Sequence, residues 1–477
     1  MRQTEQGEAT LCRLLRTHSD GGVLVTNRND YPKSRRAWLT VAILMFAYVL
    51  SFVDRQILNL LVAPIRRDMA LTDTQMSFLM GLSFAIFYAI AGIPLGRIVD
   101  TKSRRGLIFY GVFFWSLMTA ACGLAKVYWQ FLLMRVGTGA GEATLSPAAY
   151  SILADSFPPD KRATAISVYG MGLYIGVGTA YLLGGGLIEW ANARGDVVLP
   201  LFGLIKPWQL IFLGLGALGT LFCLLLLVIK EPTRKGAGAG VAVPLSEVGR
   251  YIFSIRKAVL LHNLGFACLV LTSYGVSAWT PTFFIRDHGM TPGEVGLYVG
   301  SMAAVAGSLG VMSGGHLADY LARRGYRDSN MRVALFAAVV AGLCNTAYLI
   351  DNMTVLWVIM FIGMFAGAMP NGVAAAAIQE IMPNSMRGRA SAIYLFVVTL
   401  IGLGLGPTAV ALVTDYVFRD DMAVRYSIVL VGSIATSFGV LLIWSGLKPY
   451  VQARQTLDDW EPSSEIQTAK SLRSSEI

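Results

Sequence analysis

The sequence predicts an all-α membrane protein with twelve transmembrane helices, arranged as two pseudo-symmetric six-helix bundles. Three observations carry that prediction. The chain has 477 residues, of which 55% are hydrophobic and only 14% charged, with a mean hydropathy of +0.58; soluble domains are roughly 25% charged. Its apolar residues fall into twelve continuous runs, each long enough for the about 20 residues that a helix needs to cross lipid. A charged tag, G-x-x-x-D-x-x-x-R-R, closes two of these runs, from Gly96 to Arg105 and from Gly315 to Arg324. Its offset of about 219 residues is close to half the chain. Such an interval marks duplicated halves, an architecture that transporters favour.

Residues 1–37 are polar and basic and read as a cytoplasmic tail. The first apolar run is too long for the core of a signal peptide. The first bundle covers 38–229, with spans at 38–64, 74–99, 105–124, 128–153, 163–190 and 208–229. The second covers 258–446, with spans at 258–286, 293–318, 331–350, 354–380, 388–414 and 424–446. Between them, 230–257 is a cytoplasmic linker. Its Gly236, Gly238 and Gly240 read as flexible, and Pro244 and Ser246 open a helix. Leu245, Val248, Ile252 and Ile255 recur at helical spacing, flanked by Arg250, Arg256 and Lys257, so a short interfacial amphipathic helix is expected. A plain tether is the alternative. Residues 447–477 are a second cytoplasmic tail. The runs lack the period-two alternation of membrane strands.

Orientation follows from Lys and Arg. Lys33, Arg35, Arg36, Lys102, Arg104, Arg105, Lys161, Arg162, Arg323, Arg324, Arg387 and Arg389 fall on one side of the membrane. Few fall on the other, Arg66, Arg67 and Arg286 among them. Both termini are therefore expected in the cytoplasm, with the protein in the plasma (inner) membrane. A second repeat supports the halves: Arg162-Ala163-Thr164-Ala165-Ile166 opens span 5 and Arg389-Ala390-Ser391-Ala392-Ile393 opens span 11, offset by about 227 residues.

Composition also excludes. The net charge of +10 is spread between apolar runs, so it marks orientation and not nucleic-acid binding. The five cysteines form no close pair and imply neither a disulfide framework nor a metal site. No G-x-S-x-G, H-E-x-x-H or phosphate-binding loop occurs, which argues against an enzyme or an ATP-driven pump. The expected partners are the lipid bilayer and a small amphiphilic or anionic substrate, with the chain acting as a monomer and no cofactor beyond a coupling proton.

Charge deep in a span is costly and marks function. Four such residues occur: Asp54 and Arg55 in span 1, Arg135 and Glu142 in span 4. Arg135 and Glu142 are seven positions apart, so they share a helix face at about 10 Å. Span 1 rises while span 4 descends, which sets Asp54–Arg55 between them in depth, and each acid gains a basic partner. An acid that alternates between an arginine and a dry, protonated state would couple transport to protons. A static ion-pair network is the alternative. Either arginine is also a fork for carboxylate or phosphate.

The Gly96–Arg105 loop resembles the signature between spans 2 and 3 of the major facilitator superfamily, and Gly315–Arg324 its second-half counterpart. Arg135-Val136-Gly137-Thr138-Gly139-Ala140-Gly141-Glu142 is similar to that superfamily's R-x-G-x-G-x-G-E motif. Ser51-Phe52-Val53-Asp54-Arg55-Gln56-Ile57-Leu58 looks like its spinster branch, whose members are linked to lysophospholipid and sphingolipid export. Thr101 and Ser103 replace a basic residue and a glycine of the loop signature. Ala180 and Tyr181 stand where the antiporter motif of span 5 has Gly-Pro.

The resemblance implies secondary active transport by alternating access. A small organic anion is the alternative cargo, and a non-transporting sensor on the same fold the alternative of another class. Asp100, Arg104 and Arg105, with Asp319, Arg323 and Arg324, are expected to gate the cytoplasmic side. There each aspartate would meet the N-terminal dipole of span 11 or span 5. Tyr169, Tyr174, Tyr274, Trp279, Asn371 and Tyr394 are expected to line a cavity. Gly137, Gly139 and Gly141 would let neighbouring helices close on span 4, and Gly402, Gly404, Gly406 and Pro407 would bend span 11.

Overall fold

The computed structural model describes residues 31–200, 202–234, 244–383 and 386–458; the side chains of Ile93, Arg97, Asp100, Pro159, Asp160, Ala163 and Leu245 lie outside that description. Among the described residues, eleven helical stretches are each long and apolar enough to cross a membrane. The remaining crossing is the fourth, which is broken. In chain order the crossings are α1 (Ser34–Leu60), α2 (Asp73–Ser77, a π turn at Phe78–Leu82, then Ser83–Thr101), α3 (Arg104–Cys122), α4 (Tyr128–Glu142 followed by Leu145–Ser156), α5 (Pro159–Arg194) and α6 (Pro207–Leu226). The second half repeats them as α7 (Arg256–Asp287), α8 (Pro292–Arg323), α9 (Ser329–Cys344), α10 (Met353–Glu380), α11 (Arg387–Val398 through π turns at Thr399–Leu405 and Val413–Phe418) and α12 (Val424–Asp458). A two-stranded hairpin, β1 (Val197–Leu199) and β2 (Gly203–Ile205), joins α5 to α6.

Local chemistry sets the boundaries. Thr72 caps α2 and Thr291 caps α8, each as a capping box with Gln75 or Glu294 three residues on. Ser103 caps α3 by accepting from the Gly106 N–H. The expected linker helix forms at Leu245–Ser254. It buries Val248, Tyr251 and Ile255 against the second bundle, and the Tyr251 hydroxyl donates to the Ile381 carbonyl at 3.0 Å. Its apolar stripe therefore packs on protein. The linker glycines lie outside the described residues.

Glycine decides where helices touch. A Cβ at Gly139 would stand 2.6 Å from the Phe84 carbonyl oxygen of α2, while Gly137 and Gly141 abut Met118 and Trp115 of α3. Between bundles, a Cβ at Gly81 would stand 2.4 Å from the Leu403 carbonyl oxygen, one at Gly185 2.5 Å from that of Pro292, and one at Gly296 2.3 Å from that of Tyr181. These contacts join α2 to α11 and α5 to α8 in the half away from the doubled tags, here termed the far end. Gly96, Gly170, Gly315 and Gly388, toward the tag end, have no such neighbour within 4 Å. The cross-bundle glycine contacts lie at the far end. The bend foreseen in α11 takes the form of its π turn at Thr399–Leu405, which faces the π turn of α2.

Candidate functional site

α1 and α4 bring the four charges deep in the spans together as two pairs. Glu142 accepts from Arg55 Nε at 2.7 Å and lies 2.6 Å from its Nη2. The Ser51 hydroxyl, one turn earlier on α1, donates to the same carboxylate at 2.6 Å. Asp54 faces Arg135 at 3.8 Å and accepts from the Thr119 hydroxyl of α3 at 2.6 Å. Arg135 donates from Nε to the Leu79 carbonyl at 3.1 Å, presented by the π turn of α2. Asp54, Arg135 and Glu142 are all buried. Arg55 keeps 12% of its side chain exposed, and its guanidinium lies over Phe84 at 4.4 Å, Phe52 at 5.0 Å and Tyr88 at 5.2 Å.

The two pairs differ in quality. Arg55–Glu142 is close and hydrogen-bonded. Asp54–Arg135 is a long pair, and Asp54 Oδ1 and both Arg135 Nη atoms make no hydrogen bond. Glu142 Oε1 also has none. Buried donors and acceptors left open are costly, so this is a polar knot with capacity to rearrange. Glu142 ends the first segment of α4, and the helix restarts at Leu145.

A cavity of about 270 Å³ opens beside this knot. Its wall is mainly from the second half (α7 to α12), with Phe52 and Gln56 of α1 and Tyr174 and Tyr181 of α5 closing it. Among the described residues the lining carries no charged side chain; polarity comes from hydroxyls and amides. The Phe52 ring separates it from Arg55. Tyr174, Tyr274, Asn371 and Tyr394 line it, and Asn371 donates to the Tyr174 hydroxyl at 3.2 Å across the bundle interface. Trp279 and Tyr169 do not. Trp279 is buried and donates from its indole to the Pro407 carbonyl at 2.9 Å. Tyr169 is buried inside the first bundle, stacked on Tyr48 at 4.8 Å. Sequence reasoning missed Gln56 and Tyr181. The Tyr181 hydroxyl donates to the Ser277 carbonyl of α7 at 3.1 Å and lies near Gln56 and Asn59.

The tag residues divide. Arg104 is buried within the first bundle. Its guanidinium pairs with Asp155 of α4 and with Glu231 at 3.1 Å, and donates to the Pro232 carbonyl at 2.7 Å. Ser103, the departure from the family loop, donates to Glu231 at 2.6 Å, so its hydroxyl replaces glycine with a bond. Burial opposes ionisation of Glu231, but Ser103 and the Arg104 backbone and guanidinium outweigh it and hold the Glu231 pKa below the usual glutamate value. Arg105 donates to the Ile229 carbonyl at 3.3 Å. Asp319, Arg323 and Arg324 are exposed at the tag end, with Arg324 over the Tyr320 ring at 4.6 Å. The Asp100 side chain lies outside the described residues.

Two bundles enclosing a cavity whose described lining is uncharged, beside buried ion pairs, define a membrane transporter. The Major Facilitator Superfamily sequence profile matches residues 44–407, and the chain belongs to that superfamily. An MFS-type efflux pump of Mycolicibacterium smegmatis is 29% identical over 423 residues, which is 88% of this chain and 94% of that one. Protein spinster of Drosophila melanogaster is 23% identical over 397 residues, 81% of this chain and 63% of that one. The crystal structure of a bacterial homologue of the human lysosomal transporter spinster, inward-facing and unoccupied, superposes with a TM-score of 0.71 at 26% identity, covering 91% of this chain and 100% of that chain. Within the superfamily the likeness is to the spinster branch.

Proposed function

We propose that this transporter moves a lysophospholipid- or sphingolipid-type amphiphile by alternating access, coupled to protons. The observation that carries the reading is the pairing of an uncharged, mainly apolar cavity with the Arg55–Glu142 pair one aromatic ring away. An acyl chain suits the cavity wall of the second half, and a phosphate suits the guanidinium of Arg55. An anionic head that takes Arg55 leaves Glu142 without its partner in a dry site, where a carboxylate takes up a proton. Substrate and proton thereby compete for the same arginine.

With both termini in the cytoplasm, the open tag end faces inward, the conformation in which the matching spinster homologue was captured. Asp100 and Asp319 then act as inner gates, meeting α11 and α5 when the cytoplasmic side closes; Asp319 is exposed here. The chain works as a monomer in the inner membrane.

The test is flux into proteoliposomes of lysophospholipid, and separately of a sugar-acid anion, with and without an imposed pH gradient. Lysophospholipid flux that responds to the gradient, and loses the response in Glu142→Gln, is the expected result. Flux of the anion alone would refute the lipid reading. Gradient-insensitive lipid flux would refute proton coupling, and no flux of either would favour a sensor.

A further inference from the structure

At the far end, two carboxylates cross from the end of one span to the beginning of a span in the other bundle. Asp415, in the closing π turn of α11, accepts from the Thr74 backbone N–H at 2.7 Å and from its hydroxyl at 2.6 Å. Glu189, near the end of α5, accepts from the Gly293 backbone N–H at 3.1 Å. A Cβ at residue 293 would stand 2.2 Å from Glu189 Oε1, so glycine is what lets the carboxylate reach the backbone.

The two contacts are equivalent by internal repeat. Thr74 and Gly293 are each the second residue of their helix, behind the capping boxes of Thr72 and Thr291. Thr72 and Thr291 are about 219 positions apart, the offset of the doubled tag. Glu189 and Asp415 are about 226 positions apart, close to the offset of the second repeat. In both cases the carboxylate satisfies N-terminal amides that a helix cannot satisfy itself, at the positive end of its dipole. The helix pairs, α11 with α2 and α5 with α8, are the same pairs that Asp100 and Asp319 would join from the opposite end.

We propose that α2–α11 and α5–α8 are double-ended latches: Asp415 and Glu189 hold the far side shut, Asp100 and Asp319 hold the tag side shut, and the transport cycle exchanges one set for the other. The inference rests on the alternating-access reading and extends it to the far side. Asp319, exposed and with no ion pair or hydrogen bond among the described residues, is a latch at rest. The same chemistry at both ends keeps the two states close in energy, which a cycling protein needs. Beside Asp415, buried Asp73 bridges Arg286 of α7 at 2.8 Å and Arg66 at 3.0 Å, so the far-end contact is flanked by a second cross-bundle tie.

The test is a pair of spin-label distances in the full-length chain, its native cysteines replaced, in liposomes. Labels at exposed Met171 and Met312 read the tag side, and labels at exposed Trp190 and Leu297 read the far side. Asp415→Ala and Glu189→Ala are each expected to raise the ratio of tag-closed to tag-open molecules by about tenfold. Asp319→Ala is expected to lower it by a similar factor. The isosteric Asp415→Asn and Glu189→Gln should fall between and guard against a folding defect. Opposite signs from the two ends are the signature that general destabilisation does not produce. Unmoved populations in both far-end variants, or a shift in the same direction for all, would overturn the latch. These distances need no substrate, so a failed flux assay leaves this result intact; a single unchanging conformation in every variant would sink latch and cycle together.

Discussion

Replacing Arg55 by methionine keeps bulk and apolar stem and removes the charge that Glu142 depends on. The Glu142 side chain has 0% exposure, one remaining hydroxyl donor in Ser51, and one oxygen already unbonded. Breaking a buried pair by removing one partner costs about 3–5 kcal/mol. The stranded acid has one escape, taking up a proton, which for an ordinary glutamate costs about 4 kcal/mol at pH 7. The expected loss for Arg55→Met is therefore about 3–4 kcal/mol. For Glu142→Met it is smaller, about 1–3 kcal/mol, because Arg55 keeps 12% exposure and three aromatic faces. The double variant should recover most of the loss, since two apolar side chains can replace a buried pair at little cost. The assay is thermal unfolding in detergent of the parent, both single variants and the double, combined as a double-mutant cycle. A double variant no more stable than the weaker single would refute the claim that the pair, and not each charge separately, is the unit of the site. The double variant also separates stability from coupling, for it should be well folded and blind to a pH gradient.

Three further outcomes follow from other contacts. Glu231→Gln should be about 1 kcal/mol less stable than the parent at pH 7. The depressed Glu231 pKa makes its contribution present above the unfolded value near 4.3 and lost as pH falls through the folded one, so the gap should narrow progressively as pH falls below about 4; a gap that does not narrow with falling pH contradicts the assignment. Tyr174→Phe removes the hydroxyl that accepts from Asn371 across the cavity, and should raise the half-saturating substrate concentration about 3- to 10-fold with little change in maximal flux; an unchanged concentration dependence removes Tyr174 from the site. Gly296→Ala places a Cβ 2.3 Å from the Tyr181 carbonyl oxygen and should cost about 1–3 kcal/mol in thermal unfolding, while Gly315→Ala, with open space, should cost little; equal losses would show that the far-end contact is not the tight one.

Much of this was legible in the sequence because hydropathy and repeat spacing are strong signals. The twelve runs match the crossings, and Asp54, Arg55, Arg135 and Glu142 were singled out by depth alone. That each acid could find a basic partner followed from the opposite directions of spans 1 and 4; which arginine serves which acid did not. What escaped had physical reasons. Trp279 and Tyr169 were assigned to the cavity because an aromatic in an apolar helix gives no sign of which face it occupies. Arg66 and Arg286 were read as orientation markers, because a charge count cannot see the long-range ion pairs they make, Arg66 with Asp421 and Arg286 with Asp73. Glu189 and Asp415 sit at span ends, where carboxylates usually face water. Arg104 looked like a free gate charge, and its burial against Asp155 and Glu231 depends on where α4 and α6 end.

The broken fourth crossing bears on how the protein is made. Neither Tyr128–Glu142 nor Leu145–Ser156 is long enough to span alone, and α4 is the crossing absent from the eleven that qualify by length and hydropathy. It also carries Arg135 and Glu142, each a penalty of up to about 3 kcal/mol to an inserting helix when unpaired. Their partners are on α1, which leaves the ribosome some eighty residues earlier. The insertion machinery must release α4 into lipid beside an α1 that is already waiting. Substitutions at Asp54 or Arg55 will therefore lower the amount of protein that reaches the membrane as well as its activity, and the two losses have to be counted separately, by normalising flux to inserted chains.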